Sequence, residues 1–317
     1  MKTLVLSMIS IAATVAAMTA CTSESDSIND ITNPKDAKVE IKLGAGVAGI
    51  ETKAITTNEG LTAFTNATVP LFRMDGSSDP SWESVGASAN ATINADNVKL
   101  DGDQLYYPTT ENAYFIGYFS ELTPSNITKN IISFTGVDGT KDIICTDQTD
   151  AGNKTTPKNA KLTFKHMLSK VEIKVVGTAA SVKAFGAITA IELSEMPESL
   201  DLTLDKISTI AANATPNAQT ISIFEGNQAI TNTETTIGAI PMIFNGGTTP
   251  YGTQASPLKI KITTENGEFP IEVKTITGGL ENGKKHTITL TFKDQISISS
   301  EITPWSNDGT GGTGEVG

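Results

Sequence analysis

The sequence predicts an all-β protein built from two tandem β-sandwich domains, and three observations carry that expectation. Apolar and polar residues alternate over short runs, the period-two signature of strands buried on one face, while helical periodicity is scarce. Turn formers punctuate these runs: Asp75-Gly76, Asp138-Gly139, Asn245-Gly246-Gly247 and Asn282-Gly283 offer the positive backbone angles that tight turns need. The chain has 317 residues, more than the roughly 100 to 200 of a typical single domain.

The first segment, residues 1–20, reads as a lipoprotein signal peptide. Lys2 supplies a basic start, an apolar run extends from Leu4 to Ala17, and Met18-Thr19-Ala20 leads into Cys21. The run falls short of the roughly 20 apolar residues that a membrane span requires, and small residues precede the cysteine as a signal peptidase demands. Cys21 is therefore the expected lipidation site, and its acyl chains would anchor the mature protein to a membrane outside the cytoplasm. Residues 21–36 are acidic and rich in turn formers, too polar to bury a core, and read as a linker.

The first sandwich is assigned to residues 37–159. It opens on Val39, Ile41 and Leu43 alternating with Glu40 and Lys42. A strand-like run from Val69 to Met74 contains Arg73, the only arginine of the chain. Aromatic segments follow at Leu105 to Pro108 and Ala113 to Phe119, and then the apolar run Asp142-Ile143-Ile144-Cys145, where Cys145 reads as a buried small hydrophobe. With Cys21 acylated, Cys145 has no intramolecular partner, so no disulfide is expected.

A polar loop from Thr146 to Asn159 suggests the boundary, and the second sandwich is assigned to residues 160–317. Its strands begin in Lys161 to Val176. They continue through Leu258, Ile260 and Ile262 and through Ile288, Leu290 and Phe292, each set alternating with Lys or Thr. The last alternation places Ile296, Ile298, Ser300 and Ile302 opposite Ser297, Ser299 and Glu301, and a Gly-rich tail follows from Ser306.

Chemistry-bearing constellations are sparse. A formal charge of −12 with 23 basic residues argues against a nucleic-acid partner. The two histidines, His166 and His286, continue the apolar faces of strands and are expected to point inward and hydrogen-bond there. No zinc spacing, phosphate-cradling loop or nucleophile elbow occurs, and Asp101-Gly102-Asp103 lacks the donor run of a calcium loop. The chain is thus expected to be no enzyme and to need no cofactor or metal. Trp82, Tyr106 and Tyr107 could stack on a glycan, but ordinary packing of aromatic side chains is the favoured reading.

Several segments together resemble the fimbrillin family, the subunits of type V pili. They are the Cys21 lipobox, Tyr106-Tyr107-Pro108 with the Tyr114 to Phe119 strand, Asp142-Ile143-Ile144, Phe164 to Val171, Asn282 to Phe292, and the closing Ile302-Thr303-Pro304-Trp305. The resemblance implies two transthyretin-like Greek-key β-sandwiches, export as a lipoprotein, and proteolytic removal of the first strand, residues 38–53, before assembly into a fimbrium. It further implies donor-strand exchange with other copies of the chain or related pilus subunits, with Ile296, Ile298, Ser300 and Ile302 on the donor strand. The family's best-known processing enzyme prefers arginine, but Arg73 sits within a strand-like run. The Lys53-Ala54 bond is the better processing site here. A second reading keeps Cys21 and the first strand in place and makes the protein a permanent anchor, a tip, or a binder of host protein or glycan.

Overall fold

The structure is a computed structural model that describes residues 38–48, 66–77, 80–84, 89–213, 217–293 and 296–305. Cys21, Lys53 and Ala54 lie outside the described residues. In chain order the first half carries β1 (Leu43–Val47), β2 (Ala67–Gly76), β3 (Ala89–Asn94), β4 (Asn97–Leu100), β5 (Asn112–Ser120), β6 (Pro124–Thr128), β7 (Ile131–Thr135), β8 (Ile143–Thr146), β9 (Thr149–Gly152) and β10 (Ala160–His166). The chain continues through β11 (Ser169–Gly177), helix α1 (Ala179–Phe185), β12 (Ile188–Pro197), β13 (Ser199–Thr203), β14 (Thr209–Ala212) and β15 (Ala218–Gln228). It closes with β16 (Thr235–Thr236), β17 (Met242–Ile243), β18 (Leu258–Thr264), β19 (Gly267–Val273), β20 (Lys284–Phe292) and β21 (Ile296–Pro304).

The all-β expectation holds. Most of the first half forms one sheet that returns on itself: β5 pairs with β2, and the order then runs β3, β4, β1, β10 and β8 before reaching β5 again. Strand β9 hangs on β5 outside this ring. Alternate side chains of the ring strands point into a shared core that includes Leu71, Ile93, Phe115, Leu162 and Phe164. A second sheet, β14-β13-β7-β6, covers the outer face of β2, β5 and β8 and closes a second core around Phe72, Ile116, Phe134 and Leu202. The remaining strands make two facing sheets, β16-β11-β20-β21 with β17, and β15-β12-β18-β19. Their core contains Ile173, Ile191, Ile260, Leu290 and Phe292.

Strand pairing crosses the expected boundary at residues 159 and 160. β10 lies between β1 and β8, and β13 pairs with β7 across five positions from Ser199↔Thr135 to Thr203↔Ile131. The polar loop itself carries β9. A loop can be polar and still lie along a sheet edge, so its composition marks exposure and not a gap between cores.

The first strand also starts later than the alternation suggests. Val39 is 38% exposed, whereas Ile41, Leu43, Ala45 and Val47 are each at most 9% exposed, so the inward face begins at Ile41. The one α-helix among the described residues escaped the periodicity reading because it spans only seven residues. Its signals are local: the Thr178 side chain caps the Ser181 N–H, Ser181 reciprocates, and Gly186 ends the helix with φ of 71°.

Candidate functional site

Among the described residues, strand β1 is the only link between β4 and β10 in the ring. It runs parallel to β10 over five positions, Leu43↔Ala160 to Val47↔Phe164, and antiparallel to β4 at Leu43↔Val98 and Gly44↔Asn97. Flanking bonds extend the hold: Ile41 N–H donates to Leu105 O at 2.6 Å, Ala45 N–H to Asp96 O at 2.8 Å, Ala48 N–H to Phe164 O at 2.7 Å, and Tyr107 N–H to Val39 O at 2.9 Å. Burial of Ile41, Leu43 and Val47 contributes about 5 to 9 kcal/mol at 1.5 to 3 kcal/mol per fully buried aliphatic side chain. A typical domain is stable by only about 5 to 15 kcal/mol. Loss of β1 would thus remove most of the ring's margin, and would leave an apolar groove bordered by unpaired backbone groups of β4 and β10.

The outward face of β1 is nearly bare. Gly44 and Gly46 point away from the core, and the Lys161 side chain lies across them. A Cβ on Gly46 would meet the Lys161 Cε at 2.8 Å and Nζ at 3.0 Å, and one on Gly44 would meet Asp96 O at 3.4 Å. Glycine within a strand gives up chain entropy on ordering and adds no packing, so β1 is held by its inward face and its hydrogen bonds alone.

Strand β21 occupies the edge of its sheet. It pairs antiparallel with β20 from Lys284↔Pro304 to Phe292↔Ile296. Ile296, Ile298 and Ile302 pack half-buried on the carboxy-terminal core, and Ser300 Oγ donates to Thr275 O at 3.3 Å. The residues singled out in the last alternation therefore share one face of a strand that has no neighbour on its far side among the described residues.

The two strands end at one cleft of about 360 Å³, bordered by Ala48 after β1, by Pro304 and Trp305 at and after the end of β21, and by His166, Asn282 and Gly283. Trp305 is buried and stacks on the His166 ring at 4.0 Å and 11°. On the Trp305 face the Lys170 ammonium sits 4.7 Å from the ring centre. His166 Nδ1 and Asp142 Oδ2 are 2.6 Å apart and buried, while His166 Nε2 has no hydrogen-bond partner among the described residues.

The remaining candidates are structural. His286 is buried, its Nε2 accepts the Glu281 N–H at 3.0 Å, and burial holds its pKa below the usual imidazole value. Burial likewise pushes the Cys145 thiol up to about 12, consistent with a hydrophobe and not a nucleophile. Arg73 lies in β2, paired with Asp75 at 2.7 Å. The aromatic platform does not form: Trp82 and Tyr107 are buried, and Trp82 Nε1–H donates to Gln148 Oε1 at 2.7 Å. Among the described residues no cluster of His, Cys, Asp and Glu could hold a metal, and no helix is long and apolar enough to cross a membrane.

Two features of the site were missed by sequence reasoning, the Lys161 stem across the β1 glycines and the Trp305 stack. Only the glycine pair of Gly44-Ala45-Gly46 and the lone Trp beyond the last alternation hinted at them.

The profile described as fimbrillin-like matches residues 52–305. No curated protein matches the sequence. Among solved structures, a candidate cell adhesion protein from Bacteroides uniformis is similar with a TM-score of 0.56 at 14% identity, covering 84% of this chain and 98% of that one. One from Bacteroides ovatus gives 0.54 at 13% identity over 85% and 98%. One from Parabacteroides distasonis gives 0.52 at 9% over 84% and 97%. At these identities the likeness speaks for the fold.

Proposed function

Because this chain belongs to the fimbrillin-like family, we propose that it is a structural subunit of a cell-surface fimbrium, assembled by strand exchange after its first strand is cut away. The position of β1 carries this reading: it alone closes the ring between β4 and β10, so its removal converts a closed sheet into an acceptor with two free edges. An incoming strand would restore backbone hydrogen bonds on both sides and refill the pockets of Ile41, Leu43, Ala45 and Val47.

In this scheme Cys21 carries the lipid that takes the subunit to the outer membrane, and hydrolysis of the Lys53-Ala54 bond discards lipid and strand together. The partners are further copies of this chain or related subunits, and the assembled fibre serves adhesion. The edge strand β21, with Ile296, Ile298, Ser300 and Ile302, is the donor. The chemistry required of the protein is binding, and no catalytic residue is invoked.

Limited treatment of the purified protein with a trypsin-like protease tests the scheme. Cleavage after Lys53 should yield oligomers resistant to mild denaturant, and Lys53→Gln should block both. A protein trimmed of residues up to 53 that stays monomeric would exclude the role.

A further inference from the structure

The match between β1 and β21 fixes more than the identity of the donor. We infer that β21 of a second copy enters the groove in the same direction as β1, parallel to β10, with Ile296, Ile298, Ser300 and Ile302 taking the places of Ile41, Leu43, Ala45 and Val47. This inference rests on the strand-exchange reading above and adds orientation, register and one ion pair to it.

Side-chain size supplies the first argument. The inward face of β1 reads large, large, small, large, and its small position, Ala45, is 1% exposed and closely surrounded. The inward face of β21 reads large, large, small, large in the same chain direction, with Ser300 at the third place. Reversed, Ile298 would be forced into the Ala45 position, which overfills a packed core, and Ser300 would leave the Leu43 pocket part empty with a hydroxyl buried in it.

Charge supplies the second. In the same-direction register Ser299 replaces Gly44 and Glu301 replaces Gly46. A side chain at position 46 comes against the far end of Lys161, so the Glu301 carboxylate would meet the Lys161 ammonium over the outer face. Reversal would carry Glu301 to the place of Lys42 instead. Pro304, which lacks an N–H, falls at position 49 in the forward register, beyond the last ladder pair at Val47.

The home position of β21 fits a donor that waits. Its isoleucines are half-buried there, while the β1 sites that they would enter are buried. Leaving β20 gives up nine ladder positions and pulls the adjoining Trp305 from its buried stack on His166, so the move is favoured only once β1 is gone and the groove stands open.

Intersubunit cross-linking tests the register. Protein carrying Glu301→Cys is mixed with protein carrying Thr163→Cys, both trimmed by the trypsin-like protease, and disulfides between copies are mapped by mass spectrometry. Thr163 faces position 46 across β10, so a 301–163 bond is expected; all the substituted positions are exposed. A bond between Ser297→Cys and Thr163→Cys, which reversal would bring together by carrying position 297 to position 46, would overturn the orientation. Oligomers without the 301–163 bond would overturn the register while leaving strand exchange standing, and an absence of oligomers would overturn both. Two further readouts have signs of their own. Ser300→Leu should slow assembly about tenfold or more by overfilling the Ala45 site, whereas a reversed strand would assemble faster. Glu301→Lys and Lys161→Glu should each slow assembly, and the two together should restore it.

Discussion

In the amino-terminal ring each of β5, β2, β3, β4, β1, β10 and β8 has a hydrogen-bonded neighbour on both sides, whereas among the described residues the carboxy-terminal sandwich ends in edge strands at β15, β16, β19 and β21. The sandwich protects those edges chemically. β19 exposes Glu268, Pro270 and Glu272, and β21 exposes Ser297, Ser299 and Glu301. Ion pairs such as Lys259 with Glu195 at 2.6 Å keep the neighbouring face wet. Charge and proline on an edge discourage an unplanned strand from pairing. The ring needs no such devices while it is closed, and for the same reason it has none to fall back on when one strand leaves. A closed sheet hides its backbone edges behind neighbouring strands, and an open one leaves its edges under charge and proline.

The difference should show most strongly in the cores. Phe164→Ala empties the floor of the groove and should cost about 3 to 5 kcal/mol in urea denaturation, with faster proteolysis at Lys53. Leu290→Ala in the sandwich should cost about 2 to 5 kcal/mol without changing that proteolysis. Equal protease sensitivity of the two variants would mean that the ring does not guard the first strand. Next comes pH. His286 is held neutral by burial, below its ordinary value of 6.5, so the unfolded chain takes up the proton first. Its contribution is complete above about pH 6.5 and falls by at most about 1.4 kcal/mol per pH unit as the solution is acidified towards the depressed folded value. Stability of His286→Gln that declined as steeply over that window would assign the effect elsewhere. Smaller still, Gly44→Ala adds a methyl that fits at 3.4 Å from Asp96 O and should stabilise the ring by about 0.5 to 1 kcal/mol, delaying assembly after trimming. Lys259→Ala removes an exposed ion pair from the sandwich and should leave the denaturation midpoint unchanged.

The sequence made local pairings legible and long-range ones invisible. β18 and β20 could be read directly, because Lys and Thr alternate with Ile and Leu on strands whose two faces meet different solvents. The inward histidines could be read for the same reason. Ring closure could not, since it depends on β1 meeting β10 and β2 meeting β5 across long stretches of chain, and alternation says which face is buried without saying against what. The excursion of β13 and β14 onto β7 was hidden for that reason too. Val39 misled because it continues the alternation into a segment that has already left the core. The groove was half visible: the apolar face of the first strand could be read, but its flanking partners could not.

Trp305 has a consequence for the order of events during synthesis. It belongs to the same core as Phe72 and Trp82, so one side chain of that cluster is made more than two hundred residues after the first of its neighbours. Such distant contacts form slowly, because a long loop must close before they return any energy. The early half cannot finish packing until Trp305 has been made and has reached His166. A subunit truncated before that residue would lack the stack, and its Asp142 and His166 pair would lose the ring that covers it.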